Sequence, residues 1–248
     1  MTPATGDLPD FRPAPNQGEN AALYELENRA VDNGGLVLAA MYTRAPWRGR
    51  TIVDLGCGSG YWLTRYTEEA ARVVGVEPDP RLLPLAAQRD PRAEVLRGSA
   101  EHIPLSDASV DVIHARFAYF FPPGCEPGLA EAMRVLRPGG TLIVVDNDLR
   151  HGEFATLLRA SPWAAAQGGG DPTDAWWAEH GADRQTVHSQ WRFAQRDHLE
   201  AVLRMEFPAD VADQWLSTHP DSLGLSYSYA LFAIDKPGIA KPGAGEPS

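Results

Sequence analysis

Short apolar runs alternate with amphipathic stretches through the middle of the chain. Five runs have the β-rich character of strands, at 51–55, 72–76, 93–97, 111–115 and 141–145. Stretches with helical spacing of apolar residues lie between them, most clearly at 61–66, 80–89 and 126–136. Continuous apolar runs of this length are typical of strands that are buried on both faces. The alternation predicts βαβ units, and therefore a parallel sheet with helices on both faces.

Further elements are predicted on both sides of this core. A helical pattern over 19–44 is interrupted by Gly34-Gly35, which predicts two helices or one kinked helix. Beyond residue 148, helices are predicted at 153–160, 173–180, 196–207 and 209–219, and strands at 186–194 and 225–234. Polar and Pro/Gly-rich ends predict disordered tails at 1–19 and 237–248. We expect one domain over 20–236, with a lid (20–49), a core (50–148) and a substrate-side part (149–236).

A glycine loop follows the first predicted strand. Residues 56–60 read Gly-Cys-Gly-Ser-Gly and lead into a helical pattern. A strand, a glycine loop and a helix together offer backbone N–H groups to a small molecule. The second strand ends in Glu77, about 20 residues past the loop, where a carboxylate can accept ribose hydroxyl hydrogen bonds. Tyr61 stands where the dinucleotide fingerprint requires its third glycine, so the pattern disfavours an NAD(P)-dependent reductase.

Four segments resemble the ordered motifs of class I S-adenosylmethionine (SAM) methyltransferases. Residues 53–60 are similar to the first motif and 75–79 to the second. Residues 98–113 and 134–142 resemble the motifs that follow in that family. The nearest subgroup is the small-molecule enzymes of methyltransferase type 11, related to the ubiquinone and menaquinone C-methyltransferases. The resemblance implies a Rossmann-like, doubly wound α/β sheet of seven strands, mostly parallel, with an antiparallel last strand inserted beside the sixth.

The resemblance also implies where SAM, and its product S-adenosylhomocysteine, would bind. Asp54 would hold the methionine end, Glu77 the ribose hydroxyls, and Pro78 would pack beside the adenine. Ser99 stands where the family usually has an acidic residue for the adenine amino group, so Glu101 or a backbone carbonyl would make that contact. The cofactor-binding candidates are Asp54, Gly56, Cys57, Gly58, Gly60, Glu77, Pro78, Ser99, Ala100, Glu101 and Ala115.

The implied reaction is an in-line displacement that moves a methyl group to an O, N or C nucleophile. The protein's main task is then to hold the acceptor aligned, with a base where a hydroxyl or amine must lose a proton. His114 and Arg116 are the catalytic candidates, as a base and as a carboxylate-binding cation. The alternatives are a structural histidine and a structural ion pair. The substrate-binding candidates are Tyr24, Arg116, Tyr119, Asp146, Asn147 and Trp191. For Tyr24, Tyr119 and Trp191 the alternative is core packing.

The pair Asp146-Asn147 raises the question of a metal. Catechol-type methyltransferases hold Mg²⁺ with an Asp-Asn pair after the fifth strand and a carboxylate near the end of the fourth. Arg116 stands at that second position, so we expect no metal. Asp146 would instead bind a cationic or hydroxylated acceptor.

Composition and charge narrow the class of partner. The 248 residues include 22 Lys and Arg and 33 Asp and Glu, giving a net charge of 22 − 33 = −11. An acidic surface disfavours nucleic acid and anionic membranes. No apolar run reaches the roughly 20 residues of a membrane span, no signal peptide pattern is visible, and two cysteines suggest no disulfide framework. We expect a cytoplasmic monomer or homodimer that binds a small-molecule acceptor. The alternative function is SAM binding without methyl transfer, as a regulator or a SAM-assisted cyclase.

Overall fold

A seven-stranded sheet forms the centre of the computed structural model, which describes residues 8–12, 20–162 and 172–238. The strands are β1 (Thr51–Leu55), β2 (Arg72–Glu77), β3 (Glu94–Arg97), β4 (Val110–Arg116), β5 (Leu136–Asn147), β6 (Asp183–Arg192) and β7 (Gly224–Asp235). The helices within the described ranges are α1 (Ala21–Ala30), α2 (Leu36–Arg44), α3 (Leu63–Tyr66), α4 (Leu83–Arg89), α5 (Glu126–Val135), α6 (Gly152–Ala160), α7 (Pro172–Glu179), α8 (Arg196–Glu206) and α9 (Ala209–Thr218).

The strands lie in the order β3-β2-β1-β4-β5-β7-β6. The first five run parallel, whereas β7 is antiparallel to both β5 and β6. The predicted fold is therefore confirmed, including the antiparallel last strand inserted beside the sixth. The order reverses between β1 and β4, and ligands of open α/β sheets bind beyond the carboxyl ends of the strands at such a reversal.

Side chains alternate across the sheet and supply one core on each face. Ile52 and Val112 belong to the core that is covered by α1 to α4, α6, α8 and α9. Val53 and Ile113, their neighbours in sequence, belong to the opposite core, which is covered by α5 and α7. Because both faces of β1, β2 and β4 are buried, these strands are largely apolar.

Asp32 joins the two lid helices α1 and α2. Its carboxylate accepts hydrogen bonds from the N–H groups of Val37 (2.9 Å) and Leu38 (3.0 Å), in the first turn of α2. The hydroxyl of Ser189 on β6 donates to the same carboxylate at 3.3 Å. The lid thus consists of two helices, and the start of the second is attached to the edge strand.

Three local predictions need correction. The helix predicted from residue 80 begins at Leu83, because the Asp79 carboxylate accepts the Arg81 N–H at 2.9 Å and holds this segment in a turn. The strand predicted from residue 141 begins at Leu136, directly after α5. The helix after the glycine loop has four residues only. Within the described ranges, no helix is both long and apolar enough to cross a bilayer.

Candidate active site

Two cavities lie beyond the carboxyl ends of β1, β2 and β4. Cavity A has a volume of about 540 Å³ and is bordered by Glu77, Pro78, Ser99 and Tyr119 among others. Cavity B has a volume of about 300 Å³ and lies between the glycine loop and helices α1, α6 and α8. Gly56, Phe117 and Phe121 line both cavities, so the two spaces share these walls.

Close packing explains two glycines of the loop. Gly56 has φ 75°, and a Cβ there would lie 2.5 Å from the Cβ of Ala118. Gly60 has φ 78°, and a Cβ there would lie 2.8 Å from the Cα of Ala86. L side chains avoid this backbone conformation. The loop therefore needs glycine for its own fold, before any ligand is considered.

The loop uses its N–H groups differently from the prediction. Gly56 and Cys57 both donate to the carbonyl of Val76, at 2.8 and 3.1 Å. Gly58 donates to Oε2 of Glu77 at 2.8 Å, and Gly60 donates to the Cys57 carbonyl at 2.9 Å. The Cys57 side chain is buried against β2, and burial raises the pKa of its thiol. Gly56, Cys57 and Ser59 of the loop line the cavities, and these four N–H donors are already bonded within the protein.

Glu77, like Asp79, is a buried acid that lines cavity A. Its side chain ends β2, and the residue is only 5% exposed. Besides the Gly58 N–H, it accepts the N–H of Asp79 at 2.9 Å through Oε1. Burial raises the pKa of Glu77 to about 7, although these two N–H donors oppose the shift. Each carboxyl oxygen keeps acceptor capacity for a further donor in the cavity.

Ser99 and Ala100 line cavity A beside Glu77. The Ser99 hydroxyl is buried and has no hydrogen-bond partner among the described residues. Glu101 instead accepts the hydroxyl of Tyr119 at 2.9 Å, and that hydroxyl accepts the Gly128 N–H at 3.1 Å. The structure therefore places Tyr119 with the cofactor-binding candidates, not with the acceptor candidates.

Residues 8–12, which the sequence assigns to a disordered tail, form a turn at the rim of cavity A. Asp10, Phe11 and Arg12 line that cavity. The Glu101 N–H donates to the Asp10 carboxylate at 3.4 Å, which places the turn next to the segment after β3. No pattern in the sequence identifies these residues, because the contact depends on the folded sheet. Residues 1–7, 13–19 and 239–248 of the predicted tails lie outside the described residues.

Asp54 and Arg116 form a buried ion pair between the ends of β1 and β4. Nη2 of Arg116 lies 3.1 and 3.0 Å from the two carboxylate oxygens of Asp54. Burial raises the pKa of Asp54, and the Arg116 guanidinium opposes that shift. The guanidinium carbon also lies 4.3 Å from the ring centre of Trp62. Arg116 also lines cavity B. The same side chain therefore forms the ion pair with Asp54 and brings a positive charge to the cavity.

His114 is fully buried and lines neither cavity. It is 0% exposed, and its ring meets those of Trp47 and Tyr66 edge-on, each at 5.3 Å between centroids. Neither ring nitrogen has a hydrogen-bond partner among the described residues. Burial, and then the charge of Arg116, lower the pKa of His114, so the ring is neutral. The structure corrects the reason for choosing His114, because the ring is held away from any acceptor in the cavities.

Several predicted binding residues line neither cavity, which are Asp54, Gly58, Gly60, Glu101, Ala115, Asp146 and Trp191. Ala115 points into the opposite core, and Trp191 packs on Phe154 at 4.9 Å between ring centroids. Met41 of the lid is also a core residue. For Trp191 the structure shows the core packing that the sequence left as the alternative.

Cavity B is lined by Tyr24 of α1 and Asn147 of β5, both of which are substrate-binding candidates from the sequence, and by Asn28 of α1. The hydroxyl of Tyr227 donates to the side-chain oxygen of Asn147, and Asp146 accepts the Asn147 N–H at 2.7 Å. Several residues that line this cavity were not predicted from the sequence, which are Glu27, Trp62, Phe154, Glu206, Phe207 and Tyr227. Glu27 is three residues past Tyr24 on the same face of α1, a spacing that would have identified it.

A metal has no evident ligand set among the described residues. They contain no group of three or more His, Cys, Asp or Glu side chains that could hold a metal ion. The end of β4, where a third oxygen ligand would belong, carries Arg116.

The strand order is that of the class I methyltransferase fold. The two cavities lie at the carboxyl ends of β1, β2 and β4 in this sheet. Residues 53–144 match the family model Methyltransf_11, a methyltransferase domain. The matched segment extends from β1 into β5.

Similar proteins support the fold and the domain. An uncharacterized methyltransferase of Mycobacteroides abscessus is 42% identical over 103 residues, which is 39% of each chain. A putative methyltransferase of Bacillus halodurans has a similar structure, with a TM-score of 0.57 at 18% identity over 81% of this chain and 98% of that one. The cyclase SpnF is also similar, with a TM-score of 0.53 at 16% identity over 82% and 81%. The chain spans about two fifths of the length of the curated relatives that it matches.

Proposed function

We propose that this protein is a SAM-dependent methyltransferase that acts on a small molecule and releases S-adenosylhomocysteine. One observation carries the proposal: a buried acid, Glu77, and an unpaired buried hydroxyl, Ser99, line one cavity that shares walls with a second. The methyltransferase domain over 53–144 supports it. Cavity A would take the nucleoside and cavity B the acceptor.

The side chains of cavity A suit the nucleoside part of SAM. Glu77 would accept the ribose hydroxyls, since its carboxylate faces the cavity with acceptor capacity left. The Ser99 hydroxyl would bond to the adenine edge, and the rings of Pro78 and Tyr119 would cover the base. Arg116 would hold a carboxylate in cavity B through its Nε–H, which has no partner among the described residues.

When bound, SAM supplies a methyl group that the sulfonium already activates. The remaining task of the chain is to hold an acceptor in line and to keep water away. Aromatic side chains of cavity B, among them Tyr24, Phe154 and Tyr227, offer rigid walls for this purpose. His114 takes no part in our proposal, because its ring lies outside the cavity.

The test is methyl transfer itself. The protein is incubated with SAM and a library of small acceptors, and mass spectrometry follows S-adenosylhomocysteine and methylated products. We expect S-adenosylhomocysteine to form together with one class of methylated product. SAM binding without turnover of any acceptor would favour the alternative function, which the likeness to a cyclase keeps open because fold alone does not fix activity.

We also propose that the reaction needs no metal and occurs in the cytoplasm. Arg116 at the end of β4 supports the first point, because a cation repels a metal ion. The net charge of −11 and two buried cysteines without a disulfide, Cys57 and Cys125, support the second. A monomer or a homodimer remains the expected state.

A further inference from the structure

One end of cavity B carries acid where the other end carries a cation. Arg116 stands beside the glycine loop and is paired with Asp54. Glu27 of α1 and Glu206 of α8 line the same cavity from helices that pack on each other. Apart from Arg116, these two carboxyls are the charged groups among the described residues that line cavity B.

Glu27 is the more informative of the two carboxyls. Its Oε2 is shielded from solvent and has no hydrogen-bond partner among the described residues. Burial, and then the nearby Glu206, raise the pKa of Glu27. A buried carboxylate is costly unless a cation or several donors neutralise it. Oε2 of Glu27 therefore lacks a neutralising donor or cation among the described residues.

The position along α1 separates this acid from the cofactor side. Burial, and then the charge of Glu27, raise the pKa of Tyr24, one turn earlier on α1, and the charges of Arg116 and Glu77 act on it as well. The pKa of Glu27 responds to Glu206 instead. Residues of α6, α8 and β7 complete this end, and all three elements lie outside the matched methyltransferase domain. The acid thus belongs to the acceptor side of cavity B.

The walls around the acid favour an organic cation over an inorganic one. The ring of Phe154 stacks on Tyr227 at 3.8 Å between centroids, and both line the cavity with Phe207. Aromatic faces attract ammonium groups, and more strongly where water is excluded. The volume of about 300 Å³ holds a molecule with one or two rings. The chain's net charge of −11 attracts cations as well.

We propose that the Glu27 and Glu206 end of cavity B binds the ammonium group of an amine acceptor. This inference rests on the proposed function and names its substrate class. The amine would place its charge against the Glu27 carboxyl and its apolar part against Phe154, Phe207 and Tyr227. The ammonium of the cofactor's methionine end has the same chemistry, so the experiment must distinguish the two sources.

Matched probes provide that experiment. The full chain, saturated with S-adenosylhomocysteine, is titrated with tyramine and p-ethylphenol, and with tryptamine and ethylindole, by calorimetry or ligand-observed NMR. Each pair differs in the ammonium group. We expect an amine to bind about tenfold more tightly than its neutral partner, as a charge-assisted hydrogen bond implies. The absence of a preference in both pairs, absence of binding included, would overturn the proposal.

Variants then assign the preference to the acid. Glu27→Gln should remove most of the preference for the amine and leave binding of the neutral probe unchanged. Glu200→Gln on the exposed face of α8 removes one negative charge outside the cavity and should retain the preference. Glu206→Gln provides a second test if Glu27→Gln fails to fold, as judged by its Tm.

A cofactor control separates the two ammonium sources. Affinity for S-adenosylhomocysteine and for methylthioadenosine, which lacks the amino-acid part, is measured for the wild type and Glu27→Gln. We expect both affinities to be unchanged by the substitution. If Glu27→Gln weakens S-adenosylhomocysteine alone, the acid binds the cofactor's own ammonium and the proposal is overturned. If the wild type binds neither nucleoside, the proposed function fails instead.

Discussion

Glu77 is the residue on which the proposed cofactor site depends. It holds the glycine loop through the Gly58 N–H and the following turn through the Asp79 N–H, while its carboxyl faces cavity A. One side chain therefore shapes the loop and offers the acceptor for a ribose. Loss of that side chain would remove both roles. Measuring stability together with affinity distinguishes the effect on the loop from the effect on ligand binding.

Glu77→Ala should weaken S-adenosylhomocysteine binding. Loss of a charged acceptor for two buried hydroxyls costs about 1.5–3 kcal/mol, which is roughly tenfold to over a hundredfold in Kd. Calorimetric titration measures the change. Glu94→Ala on the neighbouring strand β3 removes an exposed carboxylate that pairs with Arg72, and should leave Kd unchanged. Equal Kd values for Glu77→Ala and the wild type would exclude Glu77 as the ribose ligand.

The affinity for S-adenosylhomocysteine should depend on pH through the same carboxyl. The pKa of Glu77 is raised to about 7 in the free protein, so the carboxyl gains a proton as the pH falls below 7. Ribose hydroxyls donate to the ionised form, so binding must release that proton. Kd should therefore rise as the pH falls from 7.5 toward 5.5, by about tenfold per unit at most. Glu77→Gln should flatten the profile, and an equally steep profile in that variant would assign the proton to another group.

His114 should tolerate an apolar replacement. Both ring nitrogens are buried without a partner among the described residues, so His114→Leu removes polar atoms that gain nothing from burial. We expect a stability change below about 1.5 kcal/mol and an unchanged kcat with the acceptor found by the library screen. Thermal unfolding and steady-state rates check both values. A folded variant with kcat lowered by about 10²–10⁴-fold would restore the role of general base.

At the scale of elements, the lid depends on Asp32. This residue adopts φ 52° between α1 and α2 and caps the second helix through two N–H groups. The contact with Ser189 extends the attachment to β6. Because Tyr24, Glu27 and Asn28 all lie on α1, the position of one wall of cavity B follows from this junction.

Asp32→Ala should destabilise the protein. The substitution removes two capping hydrogen bonds, worth about 1–2 kcal/mol, and leaves alanine in a left-handed conformation at a further cost of about 1 kcal/mol. Asp32→Asn keeps a side-chain acceptor and tolerates the conformation, so its loss should be clearly smaller. Urea unfolding of the three proteins gives the comparison. An alanine variant as stable as the wild type would contradict the capping role.

The elements themselves were largely predictable, because their apolar spacing is local. The seven strands and most helices lie within a few residues of their predicted bounds, and Glu77 lies at its predicted place. The start of α4 was not predictable from spacing, because the Asp79 side chain holds Pro80 in a turn. Three N–H groups of the glycine loop, at residues 56–58, donate to acceptors on β2. This contact between elements is not visible in the local sequence.

At the scale of the molecule, the reversal of strand order places both cavities at one edge of the sheet. The resemblance to the methyltransferase family predicted residues of cavity A, because the motifs of that family follow one another from β1 to β5. Cavity B draws on α1, α6, α8 and β7, which are distant in sequence and carry no motif. Its two carboxyls and stacked rings become visible only when the fold brings them together. For the same reason His114 and Trp191, prominent in the sequence, proved to be core residues.

The central claim is that this fold holds SAM and not a dinucleotide. The most direct measurement is calorimetric titration of the full chain with S-adenosylhomocysteine and, separately, with NADH. We predict saturable binding of S-adenosylhomocysteine and no detectable heat from NADH, because Tyr61 replaces the glycine that a dinucleotide needs and Glu77 remains available to one ribose. Binding of NADH without binding of S-adenosylhomocysteine would contradict the account.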